Sequence, residues 1–179
     1  VVRRCALALP KPRRPGIPAI VASAFAATTC GVLLLQALTS VRDGWDGRMT
    51  WAPQARLMRT ERTATPAAFR EPLALVYHPQ YPPLVSLAQV AGLEVASAPD
   101  DPRCGRSFHV FFFAAFLALL HRAVRLLARD AAIAAGVVAL AATTPFLAFA
   151  NDGGAAGSYS DLPLAAFLGA GLLAALAGR

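Results

Sequence analysis

The chain has 179 residues, of which 56% are hydrophobic and only 15% are charged. Soluble domains carry about a quarter charged residues, and here the charges are clustered so that long uncharged runs remain between them. A hydrocarbon core about 30 Å thick is crossed by about 20 apolar helical residues. The composition therefore excludes an ordinary soluble domain and predicts an all-α membrane protein, a bundle of about four transmembrane helices.

The net charge of +7 comes mainly from arginine, which accounts for sixteen of the 17 basic residues. The arginines lie at the ends of the apolar runs or in one long polar segment, as the positive-inside bias of membrane proteins favours. We therefore expect a lipid bilayer as partner and no nucleic acid. The three cysteines (Cys5, Cys30 and Cys104) have no metal-binding spacing, and no motif indicates a cofactor or a divalent metal.

The N-terminal region begins with a basic, proline-rich stretch, residues 1–16, which predicts a cytoplasmic tail. The uncharged run that follows, residues 17–41, has 25 residues. The apolar region of a signal peptide has about 7–15 residues. We therefore expect this run to be an uncleaved first span.

Residues 42–107 form the one long polar segment, which we expect to be a large extracytoplasmic loop. Trp51–Arg62 and Leu84–Val95 within it are predicted to be short helices at the membrane surface. The loop is expected to continue as an irregular polar stretch up to the next apolar run. His109, at the edge of that run, is expected at the level of the lipid headgroups.

Three further apolar runs predict three more spans, at residues 108–128, 131–150 and 162–178. Two arginines, Arg122 and Arg125, fall in the last third of the first of these runs, where they can reach the headgroups at low cost. Residues 151–161 then form a second outer loop. The positive-inside bias places the N-terminus in the cytoplasm, so we expect a multi-pass protein of the inner membrane.

This topology places two carboxylates, Asp46 and Asp161, on the same outer side. A carboxylate at the mouth of a helix bundle is costly to desolvate unless it is paired or used, so both are candidate functional residues. Simpler interpretations exist for each. Asp46 next to Gly47 is ordinary turn chemistry, and Asp161 shortly before Pro163 suits the start of a helix.

Other polar residues of the two loops also have structural interpretations. Tyr81 and Tyr159 suit interfacial anchoring, and Arg56 and Arg59 suit contact with lipid phosphates. The sequence contains no Walker loop and no CxxC, HExxH or GxSxG motif. The residues by themselves predict an outer acidic site without defining a reaction.

Three segments in order resemble bacterial membrane glycosyltransferases of the C-type superfamily, which includes protein O-mannosyltransferases and lipid A aminoarabinose transferases. Residues 44–56 (GWDGRMTWAPQAR) are similar to the first outer loop of that family, although Gln54 stands where a lysine is common. Residues 78–84 (HPQYPPL) are similar to the His-Pro-Asp-Tyr-Pro segment that closes this loop. Residues 157–165 (GSYSDLPLA) are similar to the Gly-Tyr-Ala-Asp-Leu-Pro-Leu segment before a later span.

The resemblance implies a bacterial cell-envelope enzyme that transfers a hexosyl or pentosyl group from a polyprenyl-phosphate carrier to an acceptor outside the cytoplasm. Asp46 matches the carboxylate that acts at the acceptor, and the resemblance implies that it is the catalytic residue. An arginine fork is well shaped for the phosphate of the carrier. The resemblance assigns substrate binding to Arg56, Arg59, His78, Tyr81, Tyr159 and Asp161.

Members of this family have more spans than this chain, which ends at Arg179 directly after an apolar run. We therefore expect the chain to be the N-terminal portion of a longer enzyme. The alternative is a catalytically inactive, truncated membrane protein that acts as a remnant, a scaffold or an assembly partner.

Overall fold

The computed structural model describes residues 16–40, 44–71, 78–96, 101–149 and 154–176. The regular elements in these ranges are helices, and no β-strand occurs among them, which confirms the all-α prediction. The predicted cytoplasmic tail lies almost wholly outside the described residues. The α-helices are α1 (Ile17–Thr39), α2 (Ala52–Glu61), α3 (Leu84–Val95), α4 (Pro102–Ala128), α5 (Ala131–Thr143), α6 (Pro145–Ala148) and α7 (Asp161–Leu176).

Among the residues that the structure describes, two helices, α1 and α4, are long and apolar enough to cross a membrane. Only 22% of the most apolar window of α1 and 17% of that of α4 is buried inside the bundle. The core helix of a soluble protein would be mostly buried instead. The outer surface of the bundle is correspondingly apolar, and its exposed side chains include Phe25, Leu35, Phe111, Leu140 and Leu168.

Helix α4 begins six residues before the predicted span, in a stretch expected to be polar loop. The carboxylate of Asp101 accepts a hydrogen bond from the backbone N–H of Arg103 at 3.0 Å, and Pro102 occupies the first helical position. Both features favour a helix start. The Arg103 guanidinium also hydrogen-bonds this carboxylate and lowers the pKa of Asp101 below its ordinary value, which keeps the cap ionised.

The apolar run predicted as one span over residues 131–150 is broken in the structure. Helix α5 ends at Thr143, Thr144 has extended backbone angles, and the short α6 begins at Pro145. Proline has no N–H, and its ring clashes with the carbonyl four residues earlier, so α5 cannot continue through this position. With 13 residues, α5 alone is about 20 Å long.

Helix α4 is the centre of the bundle and packs against α1, α3, α5 and α7, while α1 also packs along α5. A two-residue turn joins α4 to α5. Arg129 adopts the left-handed conformation (φ 55°), and Asp130 caps α5 by accepting bonds from the backbone N–H groups of Ala132 and Ile133. This turn makes α4 and α5 antiparallel neighbours. The buried core contains Leu33, Val110, Phe113, Leu117, Val138, Ala142 and Leu162.

Helix α3 has the bounds predicted from the sequence and crosses the first turns of α4 at very close range. A Cβ atom added to Gly92 would lie 2.7 Å from the backbone oxygen of Cys104 and 2.8 Å from the Phe108 ring. On the facing helix, a Cβ on Gly105 would lie 3.3 Å from Gln89. The two glycines therefore allow the close helix crossing that holds the long loop against the bundle.

Replacing Gly92 by alanine should destabilise the protein by about 1–3 kcal/mol, since a backbone oxygen must move to admit the new methyl group. Gly136→Ala is the matched control, because that helical position has open space around it and alanine favours a helix by up to about 1 kcal/mol. Thermal unfolding in detergent micelles measures both. Equal stability of the two variants would contradict the close crossing.

Candidate functional site

A buried arginine joins the start of α4 to the end of α1. Arg106 is only 5% exposed, and its Nη2 donates to the backbone carbonyl of Ala37 at 2.6 Å and to that of Ser40. The last carbonyls of a helix have no partner within the helix and carry the negative end of its dipole. Arg106 therefore supplies hydrogen-bond donors to carbonyls at the C-terminal end of α1, and its charge neutralises the negative end of the helix dipole.

One turn later on the same face of α4, His109 joins two further segments. Its imidazole hydrogen-bonds the backbone of Tyr159, and its Nε2 lies 3.4 Å from Nε2 of Gln89 on α3. The His109 side chain is buried among these partners, and its place at the level of the lipid headgroups stays a prediction. We call Arg106 and His109 the α4 clamp. Polar residues three positions apart at the head of an apolar run are the only sequence signal for it, and they do not identify the partners.

The candidate catalytic residue, Asp46, lies half-buried just before a π-helical turn at Gly47–Trp51. The N–H of Ala52 bonds the carbonyl of Gly47, five residues back. In a regular α-helix the Pro53 ring would clash with the carbonyl of Met49, and we attribute the wider turn to this proline. Single π turns inside helices occur frequently at functional sites.

The second resembling segment folds back onto this π turn. His78 has a left-handed backbone (φ 51°), and its ring stacks on that of Tyr81 with centroids 4.4 Å apart and planes 6° apart. The Tyr81 ring lies 5.8 Å from the Trp51 ring. The structure therefore brings two predicted site residues, His78 and Tyr81, together with a tryptophan that was not predicted to belong to the site.

A buried glutamine fixes this arrangement. Gln54 Nε2 donates to the backbone carbonyl of His78 at 3.1 Å, and Gln54 Oε1 accepts from the hydroxyl of Ser86 on α3 at the same distance. Both side chains are fully buried. Gln54, at a position where the resembling family commonly has lysine, therefore links α2, α3 and the His78 turn.

The third segment meets the first two at a cavity of about 350 Å³, whose lining includes Trp51, Tyr81 and Ser160. Ser160 stands between two predicted site residues, Tyr159 and Asp161. Tyr159 is half-buried, and Asp161 is exposed as the first residue of α7, where the helix dipole favours a carboxylate. All three segments of the resemblance thus meet at one end of the bundle.

The two candidate phosphate-binding arginines differ in their surroundings. Arg56 is exposed on α2 and forms no hydrogen bond or ion pair with any residue that the structure describes. Arg59 Nε lies 2.6 Å from Glu94 Oε1 on α3, so its charge is partly neutralised. Arg59 and Glu94 line a separate cavity near the ends of α2 and α3, and about 12 Å of helix separates Arg59 from Trp51.

Comparisons with protein-family models, with curated proteins and with solved structures found no match. Within the described ranges, no group of three or more histidine, cysteine, aspartate or glutamate side chains could hold a metal ion. The geometry of the site and the resemblance of three segments are therefore the basis for a functional proposal.

Replacing Arg106 by methionine should destabilise the protein by about 1–3 kcal/mol, since buried carbonyls of α1 lose their donor. Arg122→Met, an exposed position near the opposite end of α4, is the matched control and should change stability by less than about 0.5 kcal/mol. Thermal unfolding in micelles provides the comparison. If Arg106→Met unfolded at the same temperature as the control, the stabilising role of Arg106 in the α4 clamp would be ruled out.

Proposed function

We propose that this chain carries the site of a membrane glycosyltransferase, which transfers a sugar from a polyprenyl-phosphate carrier to an acceptor outside the cytoplasm. The observation that carries the proposal is the cavity shared by Trp51, Tyr81 and Ser160. Each of these residues lies in a different one of the three segments that resemble the family. A chance resemblance of three separate segments gives no reason for them to converge on one cavity.

The proposed topology has four membrane crossings, made by α1, α4, α5 with α6, and α7. The Arg106 contacts make α1 and α4 antiparallel, and the α4–α5 turn reverses the chain again. The exposed Arg122 and Arg129 lie at the end of α4 away from the site, which under the positive-inside bias supports a cytoplasmic location for that end. The site then faces the outside of the inner membrane of a bacterium, and α2 and α3 belong to a large outer loop near the lipid surface.

In the proposed reaction, a hydroxyl oxygen of the acceptor attacks the anomeric carbon of the sugar. The bond from that carbon to the carrier phosphate breaks, and polyprenyl phosphate leaves with the electron pair. Asp46 accepts the hydroxyl proton, which requires hydrogen-bond reach to the acceptor.

The substrate-binding roles follow from how free each side chain is. Arg56 is exposed and available to bind the leaving phosphate through its fork, while Arg59 has the smaller role because Glu94 already holds it. The stacked rings of His78 and Tyr81 shape the site. Tyr159 and Asp161 support the site from the last loop.

Asp46→Asn should lower sugar transfer at least about 100-fold, because a positioned general base contributes roughly 10²–10⁴ to the rate. Asp130→Asn is the matched control. Asp130 lies at the opposite end of the bundle, and asparagine caps a helix as well as aspartate does. Transfer of labelled sugar from a polyprenyl-phosphate donor in membrane vesicles is the assay.

Retained transfer in Asp46→Asn would remove Asp46 from the catalytic role. An equal loss in Asp130→Asn would show that the assay reports folding. No transfer by the unaltered protein, with any hexosyl or pentosyl donor tested, would favour the non-catalytic scaffold instead.

A further inference from the structure

We propose that the cavity beside the π turn binds a saccharide ring. We call it the aromatic cavity and define it by Trp51, Tyr81, Ser160, Pro163 and Phe167, which belong to its lining. The inference rests on the proposed function for the class of ligand, and it adds the subsite and the groups that recognise the ring.

The walls of the aromatic cavity suit the apolar face of a sugar. Tyr81 and Phe167 on α7, which are 41% and 50% exposed, supply the accessible aromatic surface. The nearly buried Trp51 ring lies beside that of Tyr81, tilted by 31° with centroids 5.8 Å apart. The face of an aromatic ring is electron-rich and attracts the weakly positive C–H groups of a pyranose or furanose. Large aromatic surfaces combined with a few polar groups are typical of small-ligand sites.

Three polar groups of the lining have no partner in the part of the chain that the structure describes. The indole Nε1 of Trp51 is buried without a hydrogen bond, although the residue is only 2% exposed. The hydroxyls of Tyr81 and Ser160 likewise form no hydrogen bond with a described residue. Indole is only a donor, whereas hydroxyls both donate and accept. Buried polar groups in native proteins are nearly always bonded, so the Trp51 N–H calls for an acceptor, while the hydroxyls of the 41% exposed Tyr81 and the half-buried Ser160 are accessible to the same ligand.

The character of the lining argues against other ligands. None of the lining residues that the structure describes is charged, so they offer the aromatic cavity no cation of the kind that a phosphate group prefers. A hydrocarbon chain would cover the rings but leave the Trp51 N–H without an acceptor. A volume of about 350 Å³ lies in the range of roughly 300–1,000 Å³ that small-ligand sites occupy. A neutral ring with hydroxyls on its edge and C–H groups on its face fits these conditions.

The ring could belong to the lipid-linked donor or to a glycan on the acceptor, since both present the same chemistry. The sequence supplies a direct probe, because Trp45 and Trp51 are its two tryptophans. In a Trp45→Phe variant, all tryptophan fluorescence comes from Trp51 in the aromatic cavity. Methyl mannoside and methyl arabinoside serve as hexose and pentose ligands, with cyclohexanol and glycerol as controls.

In Trp45→Phe protein in detergent micelles, at least one glycoside should change the Trp51 emission in a saturable way. Equilibrium dialysis of the labelled glycoside should then show about tenfold weaker binding to Trp51→Phe and to Ser160→Ala, the loss expected for one hydrogen bond. Trp45→Phe should bind as the unaltered protein does. Circular dichroism checks that each variant is folded. If Trp51→Phe does not fold, glycoside binding to Ser160→Ala decides the test.

Absence of a saturable response to every glycoside would overturn the inference, and so would binding of cyclohexanol as tight as that of the glycosides. Competition then separates the two sources of the ring. If the subsite binds the donor sugar, a short-chain lipid-phosphate sugar displaces the glycoside. If the subsite binds a glycan of the acceptor, a free acceptor oligosaccharide displaces it. Sugar transfer that depends on Asp46, without glycoside binding, would remove the subsite and leave the proposed function. Glycoside binding without sugar transfer would leave the subsite and remove the proposed function.

Discussion

The buried guanidinium of Arg106 fixes how the two long helices meet, and the rest of the site depends on that contact. A buried cation is tolerated only where its surroundings compensate it. Here the compensation includes the carbonyls of Ala37 and Ser40 at the C-terminal end of α1. Sliding α4 by one turn would separate the charge from these carbonyls, so the contact specifies one register for α1 and α4.

The second residue of the α4 clamp extends this register to the loops. His109 holds the backbone of Tyr159 and meets Gln89, while Gln54 bonds the His78 carbonyl and Ser86. Buried polar networks of this kind favour one arrangement over its alternatives, because each displaced member leaves a group unsatisfied. Group transfer needs such precision, since reacting groups must be held near their final positions before reaction. The scaffold and the proposed chemistry are therefore linked through the same few side chains.

Local patterns in the sequence predict most of the helices and few of the contacts that build the site. The uncharged run after residue 16 predicts α1 closely, and α3 follows its predicted bounds, because both depend on composition over neighbouring residues. The break in the run over 131–150 has a local cause in Pro145, whereas the absence of charge over the whole run predicts a single span. The early start of α4 depends on the cap at Asp101, which lies in a stretch whose polar composition predicts a loop.

The site itself depends on pairs that lie far apart in the chain. Arg106 and Ala37 are 69 residues apart, and Arg59 and Glu94 are 35 apart. No periodicity of one segment identifies such partners. The sequence consequently predicts that Arg59 is available to bind the carrier phosphate, and it does not predict the ion pair with Glu94. The pattern of apolar runs predicts that Asp46 and Asp161 share the outer side, and only the resemblance of three segments adds Tyr81 to the same predicted site.

The proposed site requires that its two halves lie on the same side of the membrane, and cysteine labelling measures this directly. In a background with Cys5, Cys30 and Cys104 replaced by alanine, single cysteines at Trp45, Asp161 and Arg122 are labelled in intact bacterial cells with a membrane-impermeant maleimide. All three positions are exposed in the structure. In the proposed topology, positions 45 and 161 are labelled without cell lysis, and position 122 is labelled only after lysis. Labelling of 45 and 161 from opposite sides of the membrane would contradict it.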